Sequence, residues 1–131
     1  MSSSEDAVSA PRTVERPPLL RIVASLPAEG SATVVRLVGE LDLSNAASVR
    51  DQLADLLEYR PSDDVVLDLS GLSFLDVSGV RVLLEVRRVV AVGHRSLVLR
   101  GVRPNVGMLL RITGDEDLLA PSSRPGGAGV R

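Results

Sequence analysis

Two hydrophobic periods alternate along this chain. Leu19, Leu20, Ile22, Val23 and Ala24 fall within residues 19–25, and Val34, Val35, Leu37 and Val38 flank Arg36 within residues 33–38. Both stretches are short and rich in branched residues, which predicts strands. The joint Pro27 to Ser31 has the length and residue types of a hairpin connection, so the two strands are expected to pair antiparallel. From Ser44 or Asn45, residue types that cap helices, the period lengthens. Ala46, Val49, Leu53, Leu56 and Leu57 share one helical face, Arg50, Asp51, Asp55 and Glu58 the other, and the helix ends before Pro61. Val65, Val66, Leu67 and Leu69 then form a nearly continuous apolar run, interrupted by Asp68, as in a strand covered on both faces. Gly71 and Ser73 are expected to break this run, with Phe74 and Leu75 returning a loop to the core.

Asp76-Val77-Ser78-Gly79 opens a second helical segment, in which Val82, Leu83, Val86, Val89 and Val90 face inward. Its polar stripe holds Arg81, Glu85 and Arg88 at spacings that allow pairing. Gly93 ends this helix, Ser96 to Arg100 reads as a strand, and Pro104 starts a third helix containing Val106, Met108, Leu109, Leu110 and Ile112, which Gly114 stops. Leu118 and Leu119 are expected to add a short terminal strand. The order strand, strand, helix, strand, helix, strand, helix predicts an α/β fold, a mixed sheet of about four to five strands with helices packed on it. One domain over residues 19–119 accounts for it. Residues 1–18 and 120–131, rich in Ser, Pro and Gly, read as disordered tails.

Composition narrows the function. With one Phe, one Tyr and no Trp, the core must be aliphatic, and there is no aromatic platform for single-stranded nucleic acid. A net charge of -2 points away from nucleic acid and anionic membranes. Every basic residue is Arg, so no lysine nucleophile or Schiff base is available. The absence of cysteine excludes disulfides, thiol catalysis and cysteine-bearing zinc sites, and fits a reducing compartment. Met1 to Pro18 lacks the apolar core of a secretion signal, and charged residues interrupt every apolar stretch well short of the roughly 20 residues that cross a bilayer. A soluble, cytoplasmic protein without membrane insertion is expected.

Candidate chemistry converges on one hydroxyl. A serine hydrolase needs a base, and the one histidine, His94, follows Gly93 at a predicted helix C-terminus, where an imidazole commonly caps carbonyls or is stabilised by the helix dipole. No Gly-x-Ser-x-Gly elbow surrounds Ser78. Asp63-Asp64 and Asp115-Glu116-Asp117 read as solvated loop charge rather than a metal site, and no glycine-rich nucleotide motif occurs, so neither metal nor cofactor is expected. Ser70 and Ser73 read as turn formers. Ser78 lies at the N-cap or in the first turn of its helix, where the hydroxyl satisfies an amide or stands free for modification.

Three blocks carry a family resemblance: Gly39-Glu40-Leu41-Asp42, then Asp68-Leu69-Ser70 through Phe74-Leu75-Asp76-Val77-Ser78-Gly79, then Leu97 to Leu99 followed by Pro104 to Gly114. Together they resemble the STAS domain of sulfate transporters and anti-sigma factor antagonists, in its small stand-alone form. In that family the serine before the glycine of a D-[ST]-[ST]-G loop is phosphorylated, which by position implies Ser78. Val77 departs from the usual Ser or Thr, and Val80-Arg81 from the usual Leu-Gly. The resemblance implies a STAS-like sheet and a regulatory binding protein, not an enzyme. Its unphosphorylated form would dock on a kinase-type anti-sigma factor through Asp42, Asp76, Ser78, Gly79 and Arg81 and so release a sigma factor. Phosphorylation would switch binding off and a PP2C-type phosphatase would reverse it. A monomer or weak homodimer is implied. The alternative is a structural or regulatory subunit of a membrane transporter complex, against which the retained serine argues.

Overall fold

Alternation of buried and exposed positions decides the sheet. The structure, a computed structural model, describes residues 20–25, 32–59 and 63–120. The expected tails, apart from Ala120, and the hairpin joint at Pro27 to Ser31 lie outside them. The element order is β1 (Leu20–Ser25), β2 (Thr33–Leu41), α1 (Ala46–Tyr59), β3 (Val65–Leu75), α2 (Val77–Val92), β4 (Leu97–Arg100), α3 (Pro104–Ile112) and a 3₁₀ helix (Glu116–Leu119). The strands form one mixed sheet in the order β1-β2-β3-β4. The β1 strand runs antiparallel to β2, as the hairpin reading requires, and β2, β3 and β4 are parallel.

In β2 and β3, Val35, Leu37, Val65, Leu67 and Leu69 are buried while Arg36 is exposed and Val66 and Asp68 are half-buried. One face is thus in the core, and the expectation of a strand sealed on both faces fails. Its outer row aligns Arg36, Asp68 and Arg100 across three strands, and Arg100 bonds Asp68 at 3.2 Å.

Gly71 and Ser73 do not break the central strand, which continues to Leu75. They accompany irregularities in pairing: the register slips between Arg36 and Val38 and again between Gly39 and Glu40. Each slip places an extra β3 residue against β2, as in a bulge, and changes which side chains point inward. Burial accordingly moves from Val65, Leu67 and Leu69 to Leu72 and Leu75. Phe74, expected in the core, is instead 45% exposed.

The core is aliphatic throughout, because the other aromatic residue, Tyr59, is exposed as well. Val49, Leu53 and Leu57 of α1 meet Val82, Leu83, Val86 and Val90 of α2 and the inner residues of the sheet in one cluster. Each fully buried leucine, such as Leu53 or Leu83, contributes roughly 1.5–3 kcal/mol of transfer free energy. In α3 the inward residues are Val106, Gly107 and Leu110, which leaves Met108 and Ile112 exposed. Leu118 and Leu119 form no strand; they close the 3₁₀ helix, with Leu118 buried.

At the end of the sheet where β3 and β4 begin, Asp63 accepts from the Thr33 hydroxyl at 2.9 Å and Asp64 from the Ser96 amide at 3.0 Å. These carboxylates are structural ties rather than solvated charge. Buried Arg95 donates to the Leu57 carbonyl near the C-terminus of α1. His94 ends α2 through its backbone, which adopts φ 58° while its amide donates to Ala91.

Candidate functional site

Parallel neighbours release their chains at the same end of a sheet, and here that fact builds the site. Leu41 and Leu75, the last residues of β2 and β3, are register partners, so the turn at 42–45 and the start of α2 emerge side by side. The Asp76 amide donates to the Leu41 carbonyl at 3.3 Å. One Asp76 carboxylate oxygen accepts from the Gly79 amide at 3.1 Å and caps α2; the other accepts from the Leu43 amide at 3.2 Å. A single side chain therefore ties both loops together.

Asp42 is turned on its own loop. Its carboxylate accepts from the Ser44 amide at 2.9 Å and the Ser44 hydroxyl at 2.6 Å, and its carbonyl accepts from the amides of Asn45 and Ala46. Asn45, expected as a helix cap along with Ser44, points backward: its side chain accepts from the Asp42 amide and donates to the Glu40 carbonyl. Both side chains brace the turn before α1.

Because Asp76 takes the cap, Ser78 is released from it. Ser78 is the second residue of α2 and half-buried. Its hydroxyl makes no hydrogen bond to any described residue and is not sealed from solvent. It opens on a groove of about 380 Å³ lined by Ser78, Arg81, Val82 and Glu85 of α2, by Ala46, Ala47 and Arg50 of α1, and by Leu43. No imidazole lines this groove. His94 lies sixteen residues further along the same helical direction, about 24 Å away at 1.5 Å per residue, so no Ser-His pair exists. Arg88 hydrogen-bonds Glu85 and holds its carboxyl below the usual range, and Arg50 adds a Coulombic pull from across the groove.

Comparison with known proteins places this arrangement. The family model described as "Mlab, STAS domain" matches residues 24–120. The chain belongs to the STAS domain family. The anti-sigma F factor antagonist of Paenibacillus polymyxa is 33% identical over 81 residues, which cover 62% of this chain and 69% of that protein. Unphosphorylated SpoIIAA, an anti-sigma factor antagonist, shares the fold with a TM-score of 0.63 at 21% identity, over 75% of this chain and 84% of its own. The phosphorylated form of the Bacillus cell fate determinant SpoIIAA matches with a TM-score of 0.55 at 23% identity, covering 75% and 87% respectively.

Within this STAS domain the expected site residues Asp42, Asp76, Ser78 and Gly79 come together at one end of the sheet, with Arg81 one turn further along α2. Gly79 differs in kind, since it is buried. A Cβ there would fall 2.3 Å from Leu75 Cδ1 and 2.9 Å from the Leu41 carbonyl oxygen, so glycine lets α2 sit close enough to the strand ends to present Ser78. The sequence reading missed exposed apolar side chains here: Leu43, which lines the groove with Ser78, is 78% exposed, Val77 is 50% exposed, and Phe74, on the outward face at the end of β3, is 45% exposed. The signal was present, because these residues sit in loop or terminal positions that neither period accounts for. Among the described residues no helix is long and apolar enough to cross a membrane.

Proposed function

We propose that this STAS domain is an anti-sigma factor antagonist whose docking face is centred on Ser78 and whose binding is switched off by phosphorylation of that residue. The observation that carries this reading is the unbonded Ser78 hydroxyl on a groove that exposed Leu43 also lines, freed from capping by Asp76. The name of the Paenibacillus polymyxa relative supports the antagonist role over a transporter subunit. The domain acts as ligand and substrate rather than catalyst, in the cytoplasm, toward a kinase-type anti-sigma factor and a PP2C-type phosphatase. In the modification, the Ser78 oxygen bonds to the γ-phosphorus of ATP as the bond to ADP breaks, and the hydroxyl proton passes to a base on the kinase.

The fold tolerates this product. A phosphate in the first turn of α2 meets the positive end of the helix dipole. It adds roughly 1.5–2 negative charges and considerable bulk to a face that offered a neutral hydroxyl, beside Leu43. A partner shaped to cover that face loses its fit. Ser78→Ala is expected to bind the anti-sigma factor but accept no phosphate, and Ser78→Asp to fold normally and bind poorly, both read by pull-down from lysate and intact mass. Full labelling of Ser78→Ala would move the acceptor elsewhere. Recovery of a transporter ATPase in place of a histidine-kinase-like ATPase would favour the transporter alternative.

A further inference from the structure

The groove beside Ser78 contains two arginines: Arg81, expected on the docking face, and Arg50, to which the docking reading gives no task. Arg81 lies three residues beyond Ser78 on the same face of α2, is exposed, and has no hydrogen-bond or ion-pair partner among the described residues. Arg50 reaches the groove from α1; its only partner among the described residues is the adjacent Asp51, at 3.3 Å, with the two side chains 51% and 72% exposed, a contact too solvated to hold it firmly. Arg50 lines the same groove as Glu85 of α2, so its charge faces the opposite wall.

We infer that Arg50 and Arg81 form an internal receptor for the phosphate carried by Ser78, so that the modified side chain is clamped between α1 and α2. This deepens the switch reading and takes from it only the presence of a phosphate on Ser78. Guanidinium groups suit the task because their planar forks donate two parallel hydrogen bonds to phosphate oxygens and stay charged at any physiological pH. Two of them match the roughly 1.5–2 negative charges of a phosphoserine near neutrality. A water molecule occupies about 30 Å³ in the liquid, so a groove of about 380 Å³ admits the phosphate group with some of its hydration.

The acidic groups nearby have hydrogen-bond partners of their own. Glu85 is engaged by Arg88, Asp76 by the amides of Gly79 and Leu43, and Asp42 by Ser44. Asp51 competes for Arg50 alone. The clamped state withdraws Arg81 from the docking face and fills the groove. Partner exclusion then follows from occupied space and a diverted cation more than from net repulsion.

The test uses the full chain with phosphoserine installed at position 78 by genetic code expansion, which bypasses any kinase. Phosphorus NMR reads the second ionisation of that phosphate across pH in the wild-type background and in Arg50→Gln, Arg81→Gln and the double variant. Both arginines are exposed, so the unmodified variants should share the wild-type thermal midpoint. The pKa is expected below the ordinary value of about 6 in the wild-type background, to rise with each substitution, and to rise by about one unit or more in the double variant. Nearby carboxylates are common to all four proteins, so they do not create this difference. Values within about 0.2 units across the series would overturn the clamp. Failure of a kinase to label Ser78 would count against the switch and leave the phosphorus titration unchanged.

Discussion

Asp76 is the side chain on which the geometry of the site turns, and two substitutions separate its two tasks. Asp76→Ala removes the α2 cap and the bond to the Leu43 amide at once. Loss of an N-cap costs about 1 kcal/mol, and loss of a further hydrogen bond to a carboxylate at a half-exposed site about 1 kcal/mol more. Asp76→Asn keeps one oxygen able to accept from Gly79, but the second group becomes an amide donor that cannot accept from Leu43. Its cost should be about 1 kcal/mol, made up of the lost bridge and the lost charge at the helix N-terminus. For a domain of this size each kcal/mol lowers the thermal midpoint by roughly 4–8 °C, so the alanine variant should melt roughly 8–16 °C below wild type and the asparagine variant about half as far. Urea unfolding followed by far-ultraviolet circular dichroism measures both, and amide exchange at Leu43 reads the bridge directly. Both variants should speed that exchange, whereas only alanine should speed exchange at Gly79. Equal losses in stability for the two variants, or unchanged exchange at Leu43, would refute the bridging role.

Gly79→Ala gains helix propensity worth roughly 1 kcal/mol but places a methyl against the Leu41 carbonyl oxygen, a contact that backbone cannot easily relieve. Overpacking of roughly 1–3 kcal/mol wins, and the variant should unfold at lower urea than wild type; equal or higher stability would contradict the close approach. Asp68 is held below its ordinary value of 3.8 chiefly by the Ser70 amide, with the Ser70 hydroxyl and Arg100 adding to that and burial opposing it. A carboxyl with a depressed folded pKa stabilises the fold above its unfolded pKa and loses that contribution as pH falls through the folded value. The stability gap between wild type and Asp68→Asn, measured by urea titration, should therefore be full at pH 6 and close progressively below about pH 4; a gap independent of pH would refute the assignment. Leu43→Ser removes exposed apolar surface from the groove beside Ser78 and should weaken anti-sigma factor binding by about tenfold or more while shifting stability by less than about 0.5 kcal/mol, measured by calorimetry and thermal melts.

Much of the fold was legible because both hydrophobic periods persist over whole elements. The α1 and α2 faces, the antiparallel first pair and the helix start at Pro104 all follow from spacing and caps. The central strand was cut short for a physical reason: Gly71 and Ser73 are loop formers in isolation, and only pairing with β2 reveals that they accompany register slips which carry the strand on to Leu75. The same slips turned Phe74 outward. Leu118 and Leu119 looked like a strand because two apolar residues satisfy either period. At the site, Ser78 could be located to the first turn of its helix, but whether it or Asp76 served as the cap depended on which side chain reached the Gly79 amide. The role of Asp76 in holding Leu43 was invisible in sequence, since it joins residues thirty-three positions apart. So was the groove that brings Arg50 to Arg81.

The most direct measurement is intact-mass analysis, with fragmentation, of the full chain incubated with ATP and a candidate kinase-type anti-sigma factor, paired with binding before and after. One added phosphate of about 80 Da on Ser78, accompanied by loss of binding, is the predicted result. Phosphate on a different residue, or undiminished binding by a chain fully modified at Ser78, would contradict it.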